Sequence, residues 1–188
     1  SLDEMIKIWD PSRISKSPAI FDPLKLRAIN AAYIRALPAE EFRRLADPFI
    51  DSAVHCDIDR DLLCANLQPR CEVLEDIPPQ LDFFDAVLPI DAEMYRNKKQ
   101  KTTPESAKEA LTALLPVLEA QTDWTRDAIF EACKTLAEQM EKKNGWLLFP
   151  LGIALSGKAR TPGGGTDLAA MMGKAETLKR VKDALGKL

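Results

Sequence analysis

Histidine is almost missing from this chain: His55 is the only one in 188 residues. A Ser–His–Asp arrangement would have to use it, yet it stands in an acidic stretch beside Cys56, with no partner pattern around it. The four cysteines (Cys56, Cys64, Cys71, Cys133) form no Cys-x-x-Cys pair, so neither a zinc ribbon nor a disulfide framework is the favoured reading. Reduced, mostly buried thiols are expected instead. Glycine is sparse, and its one run, Gly163 to Gly165, lacks the spacing of a phosphate-binding loop and follows no strand pattern. No apolar run approaches the roughly 20 residues needed to cross a bilayer. The longest, Trp146 to Leu155, is interrupted by Pro150 and Gly152, and no charged-apolar-small leader opens the sequence. Asp57, Asp59 and Asp61 imitate the start of a calcium loop, but Leu62 stands where that loop needs glycine, so a capped, solvated acidic turn is the better account. These gaps leave no catalytic constellation and no metal site.

Helix signals are abundant, and strand signals are scarce. Ser1 with Glu4 forms a capping box for a short helix reaching Ile8 or Trp9, and the prolines and serines from Pro11 to Pro18 mark a connector. Asp22 followed by Pro23 opens a helix to about Ala36, with the apolar positions Leu26, Ile29, Tyr33 and Leu37 keeping a helical period. Another starts at Ala39. A helix from Asp57 to Leu67 turns Ile58, Leu62 and Leu63 inward, a short one follows over Arg70 to Asp76, and Leu81 to Leu88 is ambiguous. Thr103 and Pro104 cap a helix to about Ala120 that Pro116 should kink or shorten. Asp123 or Thr125 opens the clearest helix, ending near Lys143 with Gly145 as its stop. Beyond the apolar decapeptide, Thr166 caps a helix starting near Asp167. Gly173 ends it in a left-handed conformation, and a last helix from Lys174 carries the stripe Leu178, Val181, Leu185. The fold class is all-α.

Charge is unevenly spread. Between Pro38 and Glu93 there are 14 acidic and 4 basic residues, a net −10; the remainder has 22 basic and 15 acidic, a net +7. A polyanion responds to local potential over about 10 Å at 0.1 M salt, not to the formal total of −3. The flanks could therefore bind nucleic acid while the middle faces away. Taken on charge alone, two ordinary solvated faces are the preferred reading.

Both ends of the chain carry a pattern. At the C-terminal end Pro150, Leu151, Ala154, Leu155 and Gly157 precede the Pro/Gly turn, and Gly173, Lys174, Leu178, Arg180, Ala184 and Leu185 follow it. At the N-terminal end stand Leu2, Glu4, Met5, then Ser15, Lys16, Ser17, Pro18, Phe21, Asp22, Lys25, Leu26, Asn30, Tyr33 and Ile34. In this order they resemble the C-terminal region of bacterial glutamyl-tRNA synthetases, with Gly152 standing where that family usually carries arginine and with Pro38 to Lys101 matching only loosely. The resemblance implies an all-α anticodon-binding region of a class I synthetase: a stem-contact segment over 1–37 and two helical subdomains over 38–101 and 102–188. The missing upstream signatures and the absent initiator methionine read as an excised C-terminal piece, non-catalytic by itself, of an enzyme that joins glutamate to its tRNA with ATP and magnesium. The implied partner is tRNA(Glu), with tRNA(Gln) left open; DNA and membrane are not expected, and the piece should be a cytoplasmic monomer holding no cofactor. Candidate RNA contacts are Arg13, Lys16, Lys25 and Arg27, then Lys98, Lys99 and Lys101, then Lys158, Arg160, Lys174 and Arg180. Asn30 and Tyr33 are expected to orient helices, and Trp124 and Trp146 to lie in the core. The competing reading is a free-standing helical module that binds a protein partner.

Overall fold

The computed structural model describes residues 2–14 and 20–188. Among them there are eight α-helices and no strand, only one isolated bridge between Asn97 and Thr102. Helix α1 (Leu2–Ile8) is exposed along its length. Its expected Ser1 cap and the connector residue Lys16 lie outside the described residues. Helix α2 (Pro23–Ala36) begins where Asp22 and Pro23 require, the Asp22 carboxylate accepting the Leu24 N–H at 3.0 Å and the Lys25 N–H at 3.2 Å.

The buried side of α2 is not the one marked by its apolar period. Leu26, Ile29 and Tyr33 are 47%, 48% and 73% exposed, whereas Ala31 and Ile34 are buried. The helix docks by Arg27, Asn30, Ala31 and Ile34, at i, i+3, i+4 and i+7. Asn30 donates to the Glu72 carbonyl at 2.6 Å, Arg27 binds Glu72 and Asp76, and Gln68 donates to the carbonyls of Ile34 (3.0 Å) and Leu37 (2.8 Å). Polar cross-links chose the face, which apolar periodicity could not foretell. Asn30 thus orients helices as expected; Tyr33 points out.

Helix α3 (Ala39–Asp51) runs through Pro48 and buries Phe42, Ala46 and Ile50. Helix α4 (Arg60–Leu67) starts two residues later than Asp57 would set it, because Asp59 accepts the Leu62 N–H at 2.9 Å. Its buried residues are Leu63, Cys64 and Leu67. The segment 68–95 contains no α-helix. It proceeds in 3₁₀ turns at Gln68–Arg70, Leu74–Asp76, Pro78–Gln80 and Ala92–Tyr95, so the short helix expected over Arg70 to Asp76 is replaced by turns. Pro69, Pro78, Pro79 and Pro89 deny the backbone donors that a longer helix would need. Ile77, Leu81, Phe83 and Phe84 still bury themselves, the two rings stacked at 4.5 Å.

Helix α5 (Pro104–Ala120) has the Thr103–Ser106 capping box and passes Pro116 without stopping. Helix α6 (Arg126–Gln139) is capped by Thr125 and ends before the expected Lys143. Gly145 is no stop: it sits in the first turn of α7 (Asn144–Ser156). That helix is the largest correction, since Pro150 and Gly152 were expected to break the decapeptide. Apolar on all sides, α7 packs against α5, α6 and α8 at once. Burial of most of its surface outweighs the cost of an interior proline and glycine, which propensity alone would put at roughly 3 and 1 kcal/mol. It ends at Gly157 (φ 69°), where any Cβ would stand 2.7 Å from the Leu88 carbonyl oxygen.

Helix α8 (Gly165–Leu185) is two helices joined at Gly173, whose φ of 78° and ψ of 167° interrupt the helical path. The break falls where the sequence places it, though its ψ is extended and not left-handed helical. The cap is not Thr166, which is buried; the Asp167 carboxylate accepts the Gly164 N–H at 2.7 Å. Buried residues from Ile34 to Ala184 form one continuous core that includes Trp146, with Trp124 packed at its edge. Gly173 has open space where a Cβ would go, so only its dihedrals oppose a side chain. Replacing Gly173→Ala is expected to lower stability by about 1–3 kcal/mol, the cost of a strained positive-φ residue, measured by urea unfolding. A loss of under half a kcal/mol would show that the chain relaxes there freely.

Candidate nucleic-acid interface

The Pro/Gly turn at 157–164 leaves α7 at Gly157 and enters α8 at Gly165, and two glycines let these helices touch. A Cβ on Gly165 would meet the Leu148 carbonyl oxygen at 2.7 Å and the Gly152 nitrogen at 3.0 Å, so backbone lies on backbone there. Gly152 itself has ordinary room, 3.8 Å from the nearest atom. Between this junction, the turn and the start of α6 lies an open cleft of about 730 Å³, lined among others by Arg126, Phe130, Phe149, Gly152, Lys158 and Arg160. Gln100, from the 97–102 turn, also borders it.

The cations expected to meet RNA divide into two sets. Arg13, Lys25, Lys98, Lys99, Lys101 and Arg160 are exposed. None of these six has an ion-pair partner among the described residues. Lys98, Lys99 and Lys101 ride on a turn closed by the Asn97–Thr102 bridge, in which the Lys99 and Gln100 N–H groups donate to Asn97 Oδ1 at 3.0 and 3.1 Å. The other set works inside the protein. Arg27 is raised above its usual pKa by Glu72 and Asp76, which neutralise it. Lys158 donates to the Pro79 carbonyl at 2.8 Å and pairs with Asp82. Lys174 caps the end of α5, donating to the carbonyls of Glu119 (2.7 Å) and Gln121 (2.6 Å), with its ammonium 5.7 Å from the Trp124 ring centre.

Arg180 is the clearest correction among the candidates. It is 2% exposed and spends its donors on the carbonyls of Phe83 (2.7 Å), Leu155 (2.7 Å) and Phe84 (2.5 Å) and on Glu176 (2.7 Å). Four of its five N–H donors are used inside the protein, and burial closes the guanidinium to a phosphate. Of the expected residues, only Lys158 and Arg160 share the cleft.

Sequence reading missed the cleft's other arginines. Arg70 donates to the Pro162 carbonyl at 3.2 Å and steadies the turn. Arg126 lies 5.8 Å from the Phe130 ring centre, with Nε 3.1 Å from Asp167 and Nη1 2.7 Å from Asp127. These carboxylates, Asp127 foremost, raise its pKa further above the ordinary arginine value. A cation in a helix's first turn opposes the macrodipole, and that misfit was the available signal. His55 and Cys56 serve local structure: their N–H groups donate to Asp85 at 2.8 and 3.0 Å, and with the His55 ring they hold that carboxyl below the usual range. Cys64, Cys71 and Cys133 are buried and their thiols pushed up to about 11, 11 and 12 by burial, while Cys56 is exposed.

Residues 26–185 match the family model described as an anticodon binding domain. The chain is 43% identical over its whole length to a glutamate–tRNA ligase of Clostridium botulinum, of which it covers 39%. It is 42% identical to one of Clostridium tetani, of which it covers 38%. A crystal structure of a glutamate tRNA ligase from Elizabethkingia meningosepticum matches all of this chain and 37% of that one, with a TM-score of 0.83 at 26% identity. The chain thus spans well under half the length of the relatives it matches.

Replacing Arg180→Met is expected to cost about 3–5 kcal/mol of stability, because three buried carbonyls and Glu176 lose their partner. Arg160→Ala should change stability by less than about 0.5 kcal/mol. Thermal or urea unfolding of the two variants separates an internal cross-link from a surface cation. Equal losses would contradict the division.

Proposed function

The chain belongs to the anticodon binding domain family, and from that premise we propose that it grips the anticodon arm of a tRNA. The observation that carries the reading is the cleft beside the Pro/Gly turn, bordered by Arg160 and by aromatic and glycine surface. Anticodon bases are single-stranded, and proteins read such bases by stacking and by edge hydrogen bonds, which aromatic, arginine and backbone groups supply. Exposed Arg160, Lys98, Lys99 and Lys101 suit the flanking phosphates, and Lys25 and Arg13 suit the stem. In this reading the chain is the tRNA-holding C-terminal part of a glutamate–tRNA ligase. The ATP- and magnesium-dependent joining of glutamate belongs to the portion that its relatives carry beyond the matched region. The contribution of the chain is positional: binding energy far from the reacting bond orients the acceptor end.

The partner we propose is tRNA(Glu), with tRNA(Gln) as the competitor to be tested, in the cytoplasm and with a monomeric chain. No described helix is long and apolar enough to cross a membrane. One observation favours a protein contact elsewhere. The large exposed apolar residues, from Leu2 to Tyr33, all fall on α1, α2 and the segment joining them. That face suits further polypeptide and not RNA, so it accompanies the tRNA reading without competing with it.

Filter binding to a glutamate tRNA between 50 and 200 mM salt tests the proposal. Affinity should fall steeply with salt, with a slope in log–log form of about −0.7 to −0.9 per phosphate contact. Arg160→Ala should make that slope shallower by about one. Absence of binding at 50 mM salt, or equal affinity for a tRNA with all three anticodon bases changed, would defeat the reading.

A further inference from the structure

The geometry points to Arg126 as a residue that reads the edge of a base and does not neutralise a phosphate, an assignment that rests on the tRNA-binding reading above. Three observations carry it. First, Arg126 is flanked by two carboxylates, Asp127 at 2.7 Å and Asp167 at 3.1 Å. One guanidinium between two carboxylates leaves a local charge of −1, which repels phosphate. The same trio offers donors and acceptors side by side, as the edge of a nucleobase does. Second, the group is held in place. Asp167 is 15% exposed and bound to the Gly164 N–H at 2.7 Å, and the guanidinium lies 5.8 Å from the centre of the Phe130 ring. An arginine so fixed loses little freedom when it engages a planar ligand.

Third, the position suits the ligand. Arg126 is half exposed and lines the cleft together with Phe130, Phe149 and Gly152. A base has apolar faces and a polar edge, and the cleft offers rings for the one and the Arg126–Asp167 pair for the other. Gly152 borders the same cleft and adds no side chain to it. Arg160, exposed and without a carboxylate partner among the described residues, has the opposite character and suits a phosphate.

The test compares the unmodified chain with Arg126→Ala, Arg126→Gln and Arg160→Ala. Each is titrated with a glutamate tRNA and with three versions bearing one altered anticodon base, at several salt concentrations. The unmodified chain is expected to prefer one base at one anticodon position. Arg126→Ala should lose about tenfold in affinity for that preferred tRNA and fall to within about twofold among all four, with the salt slope unchanged. Arg126→Gln keeps a donor toward Asp167 and guards against a loss caused by a disturbed α8 cap; it should also lose the preference. Arg160→Ala should weaken all four tRNAs alike and reduce the slope. If Arg126→Ala reduces the slope by about one and weakens every tRNA equally, Arg126 contacts phosphate and the assignment is overturned. It is overturned too if both Arg126 variants keep the full preference. If the unmodified chain binds no tRNA, the wider reading fails first, and that result is distinct from either of these.

Discussion

The Arg180 guanidinium holds three separate stretches of chain in one arrangement. Its side chain comes from the second half of α8, and it reaches the last-turn carbonyl of α7 at Leu155 and the carbonyls of Phe83 and Phe84 in the segment that lacks α-helix. Leu155 belongs to the four residues at a helix end whose carbonyls have no partner inside the helix, and a cation there also answers the negative end of the macrodipole. The aromatic pair Phe83 and Phe84 cannot bury its rings without burying its backbone, and that backbone needs donors. Arginine supplies them in a planar fork that lysine lacks. Glu176, one turn earlier on α8, balances the charge.

The cleft depends on that arrangement. Arg180 fixes the end of α7, where Gly157 reverses the chain because only glycine fits beneath the Leu88 carbonyl. The 157–164 turn then has a set origin, and its other end is set by the Gly165 contact on α7 and by Asp167. Asp167 has two roles, closing the start of α8 and holding Arg126 against Phe130. The cleft is therefore built on a rigid frame. The Lys174 and Arg70 contacts add to the same frame, tying α8 to the end of α5 and the turn to the 3₁₀ segment.

Much of this was legible in residues with strong local grammar. Asp22-Pro23 and Thr103-Pro104 each fixed a helix start because a side-chain oxygen and a missing N–H act within one turn, and Thr125, one of the two starts offered there, caps by its hydroxyl alone. Gly173 was legible as a break because glycine alone takes a positive φ without strain. Legibility failed where a distant contact outweighed a local rule. Pro150 and Gly152 look like breakers until one knows that α7 packs against three other helices at once. Leu26, Ile29 and Tyr33 look like a core stripe until Glu72, Asp76 and Gln68 draw the opposite side of α2 inward. Thr166 looks like a cap, but Asp167 one residue later reaches the Gly164 N–H, and Thr166 itself is buried.

The same limit governs the basic residues. A lysine or arginine in sequence carries a charge but no address. Here Arg27, Lys158, Lys174 and Arg180 are consumed by carboxylates and carbonyls of the protein, whereas Arg160 and the lysines of the 97–102 turn are left outward. What separates the two sets is the location of acceptors with no other donor: carbonyls at helix ends, at Pro79 and at Phe83, which become visible only once the chain is folded. The uneven charge follows in part from this. The acidic middle supplies Glu72, Asp76 and Asp82 as partners to cations from both flanks. A segment of net −10 joined to flanks of net +7 is thus a means of docking one on the other, and the cations left over after docking are those a polyanion can reach.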